Sequence, residues 1–214
     1  MHRRPEIEAR LGAVRERIRA AGGDPERIAV VAVTKGRPLE DCRAALEAGL
    51  TRLGENRVAE ALPKLEALPA AEWHLVGHLQ SNKARDAAGR FALIHSVDSL
   101  RLAEAIARRA PEQVVLLQVN TSREPQKQGL APEAVLEALR AARSLLPVRG
   151  LMCMAAAVGD PAPAFAELRR LRDQCEQALG IALPILSMGM TQDYEAAVRA
   201  GSTMLRLGRV LFDR

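Results

Sequence analysis

Ile28-Ala29-Val30-Val31-Ala32-Val33-Thr34-Lys35 decides how the rest of the chain is read. Its six apolar residues are too few for a helix. They also lack the apolar–polar alternation of a strand with one wet face, and so describe a strand buried on both sides. Before it, residues 5–21 carry helical spacing and stop at Gly22-Gly23. After it, short apolar runs alternate with longer helical segments to the end of the chain. Strands are expected at 28–33, 52–55, 73–77, 91–96, 114–119, 148–152, 184–186 and 204–207. The helices between them are expected at 38–48, 58–68 (interrupted by Pro63), 83–88, 99–109, 132–145, 163–179 and 192–200. Eight β–α alternations predict one α/β domain over 1–214, a single (β/α)8 TIM barrel with an extra N-terminal helix. An open doubly wound sheet is the alternative. It would normally carry Gly-x-Gly-x-x-Gly after the first strand, and no such turn follows Lys35.

Composition narrows the function classes. Apolar residues make up 48% of the 214, enough for one real core. The net charge of +5 invites a nucleic-acid reading, but aromatic residues are only 2% of the chain, too few to stack bases. The arginines also fall among acids on helix faces, as at Arg10, Arg15, Arg17 and Arg19, so no nucleic-acid partner is expected. No apolar run reaches the roughly 18 residues that span a bilayer, so no membrane partner is expected either. Cys42, Cys153 and Cys175 are scattered without metal or disulfide spacing. With no signal-peptide core at residues 1–6, the expected setting is a reducing cytoplasm, and the expected state a monomer.

Of 31 basic residues only four are lysines: Lys35, Lys64, Lys83 and Lys127. Arginine does not lose its proton and cannot act as an amine nucleophile, so each lysine calls for a reason. In a TIM barrel the chemistry sits where strands end. There the sequence places Thr34-Lys35, Gly54-Glu55-Asn56, Gly77 to Lys83, His95-Ser96, Asn120-Thr121-Ser122, Ser187 to Thr191 and Arg206 to Arg209. Lys35 stands just beyond the apolar run, where desolvation is expected to release a neutral amine able to condense with an aldehyde. The ordinary alternative is a strand-end lysine reaching to water. Ser187-Met188-Gly189-Met190-Thr191 precedes a helix, and Leu207-Gly208-Arg209 adds a second glycine turn. Phosphate sites recur after strands seven and eight of this fold. Amine and phosphate cup together suggest a phosphorylated aldehyde, pyridoxal 5′-phosphate.

Four stretches, Ala32 to Lys35, Gly54-Glu55-Asn56, Trp73 to Lys83 and Ser187 to Asp193, resemble the pyridoxal phosphate homeostasis protein family, also called the YggS or PROSC family. Ala200 to Gly208 joins them, and the motifs keep the family's order from about residue 5 onward. The resemblance implies a barrel similar to the N-terminal domain of alanine racemase, with Lys35 carrying the cofactor as an internal aldimine. It further implies that Ser187, Gly189, Met190, Thr191, Gly208 and Arg209 surround the phosphate, mostly through backbone N–H groups. Arg206 would face the pyridine nitrogen and weaken the ring as an electron sink, with Asn56 as a ring neighbour. Thr191 stands where many relatives have serine and keeps the hydroxyl. Arg209 replaces a common small hydroxyl residue, so one side-chain contact to phosphate is expected to be lost.

Racemisation needs acid–base groups on both faces of the cofactor. Tyr194 is expected to be a packing residue, and His78 a hydrogen-bond donor at the rim or a base. The expected function is therefore a carrier of pyridoxal phosphate in intracellular homeostasis, without turnover, serving apo-enzymes as recipients. A small racemase with Lys35 as sole base is the alternative, and a phosphosugar barrel with a transient Lys35 imine a further one. Lys83 and Lys127 are candidate secondary acceptors of the cofactor.

Overall fold

The computed structural model describes residues 3–213. Helix α1 (Arg4–Ala20) leads into β1 (Ala29–Val33), α2 (Leu39–Glu47), β2 (Arg52–Glu55), α3 (Val58–Ala67) and β3 (Glu72–Leu75). A 3-10 turn (Ser81–Lys83) runs into the single-turn α4 (Ala84–Ala87), then β4 (Leu93–Val97), α5 (Leu100–Ala107) and β5 (Val115–Gln118). A second 3-10 turn (Pro132–Ala134) opens α6 (Val135–Arg143), followed by β6 (Val148–Met152) and α7 (Ala162–Leu179). The chain finishes with β7 (Ile185–Ser187), α8 (Tyr194–Arg199), β8 (Met204–Leu207) and α9 (Arg209–Phe212). All eight strands are parallel and close in sequence order, β1 pairing with both β2 and β8. The expected (β/α)8 barrel is the observed one.

Strand residues point alternately in and out, which sorts the core into two layers. Val31, Val76, Leu93, Leu116, Met152 and Met204 meet inside the barrel. Their neighbours Ala32, Leu75, Leu117, Leu151 and Leu205 pack outward with the helices in the larger cluster. Both faces of each strand are buried, which is why the strands read as continuous apolar runs.

Helix α1 buries Ile7, Leu11, Val14 and Ile18, one stripe at helical spacing. Its arginines tie it to the last turn of the described chain. Arg3 Nη2 donates to the carbonyl of Phe212 at 2.5 Å, and Arg10 Nη1 to that of Leu211 at 3.3 Å. Those are terminal carbonyls of α9, which have no partner within the helix.

Element bounds at most strands and helices move by one to three residues, and three differences stand out. The strand expected at 184–186 lies one residue later and includes Ser187. The helix expected at 83–88 is a 3-10 turn followed by four α residues, cut off before Gly89 at φ +77°. Helix α9 is an addition to the elements expected from the sequence.

Candidate functional site

The end of β1 is fixed by the hydrogen bonds of one residue. Thr34 N–H donates to the Gly54 carbonyl at 2.8 Å, continuing the ladder beyond the strand. Its hydroxyl donates to Glu55 Oε1 at 2.6 Å, and its own carbonyl accepts from Lys64 Nζ at 2.9 Å and from Arg37 N at 3.0 Å. Lys64 also pairs with Glu55 Oε1 at 2.6 Å, and Glu55 is fully buried. Lys35 follows at the first corner of the turn closed by Arg37, and Gly36, at φ +66°, takes the left-handed corner. Ala29, Val31 and Val33 alternate toward the barrel interior, and Lys35 continues that parity at its mouth. Lys35 is exposed, so the burial expected to desolvate its amine is not present in this structure. It is a well-anchored lysine at an open mouth.

Inside the barrel runs a chain of polar groups. Arg206, only 4% exposed, donates through Nη1 to the carbonyl and hydroxyl oxygens of Ser187 at 2.7 and 2.8 Å. Its Nη2 donates to the Cys153 carbonyl at 2.8 Å. Ser187 Oγ lies 2.9 Å from His95 Nδ1, and His95 Nε2 lies 2.9 Å from His74 Nδ1. None of these three Arg206 bonds reaches a carboxylate, and burial pulls the guanidinium below its ordinary pKa. Its Nε–H and one Nη2–H donate to no acceptor among the described residues. An arginine with two donors to spare, facing a barrel mouth, is poised for an acceptor that the protein does not supply.

The loops after β7 and β8 lie side by side. Val210 N–H donates to Thr191 Oγ1 at 3.3 Å, and Arg206 N–H to the Gly189 carbonyl at 3.0 Å. Gly189 has φ +96°, and a Cβ there would come within 2.6 Å of Ala197 Cβ and 2.9 Å of Leu205 Cδ2, so only glycine fits. At Gly208 a Cβ would stand 3.4 Å from the Val33 carbonyl oxygen, which brings this turn against the strand that delivers Lys35. The N–H groups of Thr191, Gly208 and Arg209 bond to no other described residue. That of Met190 is held by Asp193 Oδ1 at 2.5 Å. Ser187 stands apart from its expected group, because its hydroxyl is spent inside the barrel on Arg206 and His95. Arg209 is exposed, and what it adds to the cup is its backbone N–H.

Asn56 is half-buried beside Gly77, where a Cβ would meet the Asn56 carbonyl oxygen at 2.2 Å, so the second and third loops close tightly together. His78 is exposed and lies 3.3 Å from Asp98. Lys83 is exposed in its 3-10 turn. Lys127 pairs with Glu124 and donates to the Ala155 carbonyl at 2.8 Å, joining the loops after β5 and β6. Tyr194 packs in the outer layer between barrel and helices, away from the mouth. His95 and Ser96, expected at the rim, are fully buried within β4. Glu55, Lys64, His74 and His95 are the residues whose placement sequence reasoning missed. The apolar–polar–apolar triplet Trp73-His74-Leu75 was the available signal that His74 points inward.

Fold and mouth together define a pyridoxal-phosphate-type barrel of the alanine racemase N-terminal class. The family model for the alanine racemase N-terminal domain matches residues 6–213. The chain belongs to the pyridoxal phosphate homeostasis protein family. The member from Pseudomonas aeruginosa is 40% identical over 208 residues, 93% of this chain and 90% of that one. The member from Aquifex aeolicus is 40% identical over 95% of this chain and 96% of its own. PipY of Synechococcus elongatus, solved with PLP bound, is 36% identical with a TM-score of 0.85, covering 96% of this chain and 99% of PipY. Alanine racemase from Clostridium difficile shares the fold alone, with a TM-score of 0.77 at 16% identity, matching 96% of this chain to 57% of its own.

Proposed function

We propose that this chain binds pyridoxal 5′-phosphate through a covalent C=N link to Lys35 and takes part in intracellular homeostasis of that cofactor without catalytic turnover. The observation that carries the reading is the convergence at one barrel mouth of a primary amine, an acid-free arginine with spare donors, and a turn of unspent N–H groups. These suit an aldehyde, a ring nitrogen and a phosphate respectively. When bound, the cofactor supplies an aldehyde carbon that accepts an amine. In its unprotonated form the Lys35 amine adds to that carbon, and the carbonyl oxygen departs as water with the two amine protons. Thr34, clamped by Glu55 and Lys64, orients the lysine. Gly189, Thr191, Gly208 and Arg209 offer backbone N–H groups to the phosphate, Met190 lines the same turn with its own N–H held by Asp193, and Asn56 flanks the ring. Arg206 donates to the ring nitrogen and so keeps it unprotonated, which weakens the electron sink that turnover needs.

The reading without turnover is supported by the place of Tyr194, which sits in the outer layer where it reaches no ligand at the mouth. His78, already beside Asp98, is a rim donor in this reading. Name and chain coverage of the curated relatives support the homeostasis role. The carrier would work as a cytoplasmic monomer, with apo-enzymes as recipients. The test is an absorbance spectrum of the protein with pyridoxal phosphate beside Lys35→Ala, followed by an amino-acid racemisation assay. A band near about 420 nm, as an imine of this kind gives, should appear in the wild type and vanish in the variant, with no racemisation. A band that survives Lys35→Ala would move the link to Lys83 or Lys127. Steady racemisation would make the chain an enzyme.

A further inference from the structure

Glu72 opens β3 at the floor of the barrel, the end opposite the mouth, where its Oε2 lies 3.1 Å from Arg52 Nε. Its Oε1 is 3.8 Å from His74 Nε2, a buried nitrogen that makes no hydrogen bond. The polar groups therefore form one line from mouth to floor: Arg206, Ser187, His95, His74, Glu72. The direction of its bonds follows from counting protons. Arg206 can only donate, so Ser187 Oγ accepts from it. If His95 Nδ1 also donated to Oγ, the Ser187 hydroxyl proton would be left without an acceptor in a dry interior, at a cost of about 1–3 kcal/mol. With Ser187 donating to His95 Nδ1 and His95 Nε2–H donating to His74 Nδ1, the one unpaired proton of the line falls at His74 Nε2, beside the partly exposed Glu72 carboxylate, rather than deep inside the barrel. His74 then carries its proton on Nε2, aimed at the Glu72 carboxylate. Burial, with the Arg206 charge nearby, holds His95 well below its ordinary pKa, consistent with a neutral ring. The neighbouring His74 ring is the largest cause lowering the pKa of Glu72.

We propose that Ser187, His95, His74 and Glu72 are positioning residues for Arg206, a one-way line of donors that fixes which guanidinium protons remain free at the mouth. The inference about the cofactor rests on the proposed binding of pyridoxal phosphate; the proton arrangement does not. A fixed Arg206 keeps its spare N–H groups aimed at the ligand.

Two measurements test it on the full chain. Nitrogen-15 NMR of the histidine rings, without added ligand, should show His95 and His74 both neutral and protonated on Nε2 at pH 7. A proton on Nδ1 of either ring, or a charged ring, overturns the arrangement. Ser187→Ala, which removes one hydroxyl and keeps the backbone, should then weaken pyridoxal phosphate binding about tenfold and shift the absorption maximum of the bound form. Glu72→Gln, at the barrel floor, should shift the Arg206 Nε resonance. The amide introduced there remains able to accept from His74, so the fold is retained. Unchanged affinity and spectrum in Ser187→Ala, together with an unmoved Arg206 resonance in Glu72→Gln, would refute the positioning role. A wild type that binds no pyridoxal phosphate, but shows the two Nε2 protons and the shifted Arg206 resonance, would overturn the cofactor reading and leave the proton line standing.

Discussion

Glu55 and Lys64 form a buried ion pair 2.6 Å apart at the C-terminal end of β2, with Glu55 wholly enclosed. The pair spans β2 and α3, and both partners hold Thr34, the residue before Lys35. Lys64→Met should strand the Glu55 carboxylate and destabilise the protein by about 3–5 kcal/mol. Denaturant unfolding measures this. Glu55→Leu combined with Lys64→Met should recover most of the loss while still weakening attachment at Lys35, because Thr34 is then released.

Gly189 tests how tightly the loop after β7 is built. Gly189→Ala places a Cβ 2.6 Å from Ala197 Cβ, at φ +96°. A core overpacked in this way loses about 1–3 kcal/mol, and a left-handed corner adds about 1–2 kcal/mol. Thermal unfolding should shift down by several degrees. Gly36→Ala meets open space and should cost only the left-handed term.

The three cysteines give a pH prediction. Burial pushes the Cys153 thiol up to about 11, and raises Cys42 and Cys175 as well. At pH 8 all three should resist a thiol reagent in the folded protein and react together on unfolding. The sign for stability follows. Cys153 is neutral in both states below pH 9.0, and its contribution is fully present there. Above that, the unfolded chain loses the proton first, so stability falls as pH rises toward 11. Urea midpoints measured from about pH 8 upward through this range, with Cys153→Ala as control, read it directly.

Trp73 is the sole tryptophan, buried at 4% exposure with its Nε1 donating to the Leu68 carbonyl at 3.1 Å. Its emission should be blue-shifted in the native state and move red in one step with the circular dichroism signal. Two separate transitions would show that the barrel does not unfold as a unit.

The barrel was legible because parallel strands buried on both faces write themselves as unbroken apolar runs, as at Val30-Val31. The placement of Lys35, Gly189 and Gly208 together at one end of the barrel was legible because a lone lysine directly beyond such a run, and glycines in the turns after the last two strands, mark strand ends in the sequence itself. Ser187 and His95 were not. A polar residue at a strand end reads as loop, whereas here each is satisfied by another polar residue far off in sequence, Arg206 or His74. That partnership exists only once the barrel has closed, and no local window contains it. The expected desolvation of Lys35 failed for a related reason. A strand end at an open mouth borders water however apolar the run before it.

Pairing of β1 with β8 gives the site an order in time. Lys35 follows the first strand of the barrel and Arg206 and Gly208 belong to the last, so a growing chain carries its amine long before it owns anything to hold a phosphate or a ring. On the proposed reading, full capture of the ligand reports that the barrel has shut.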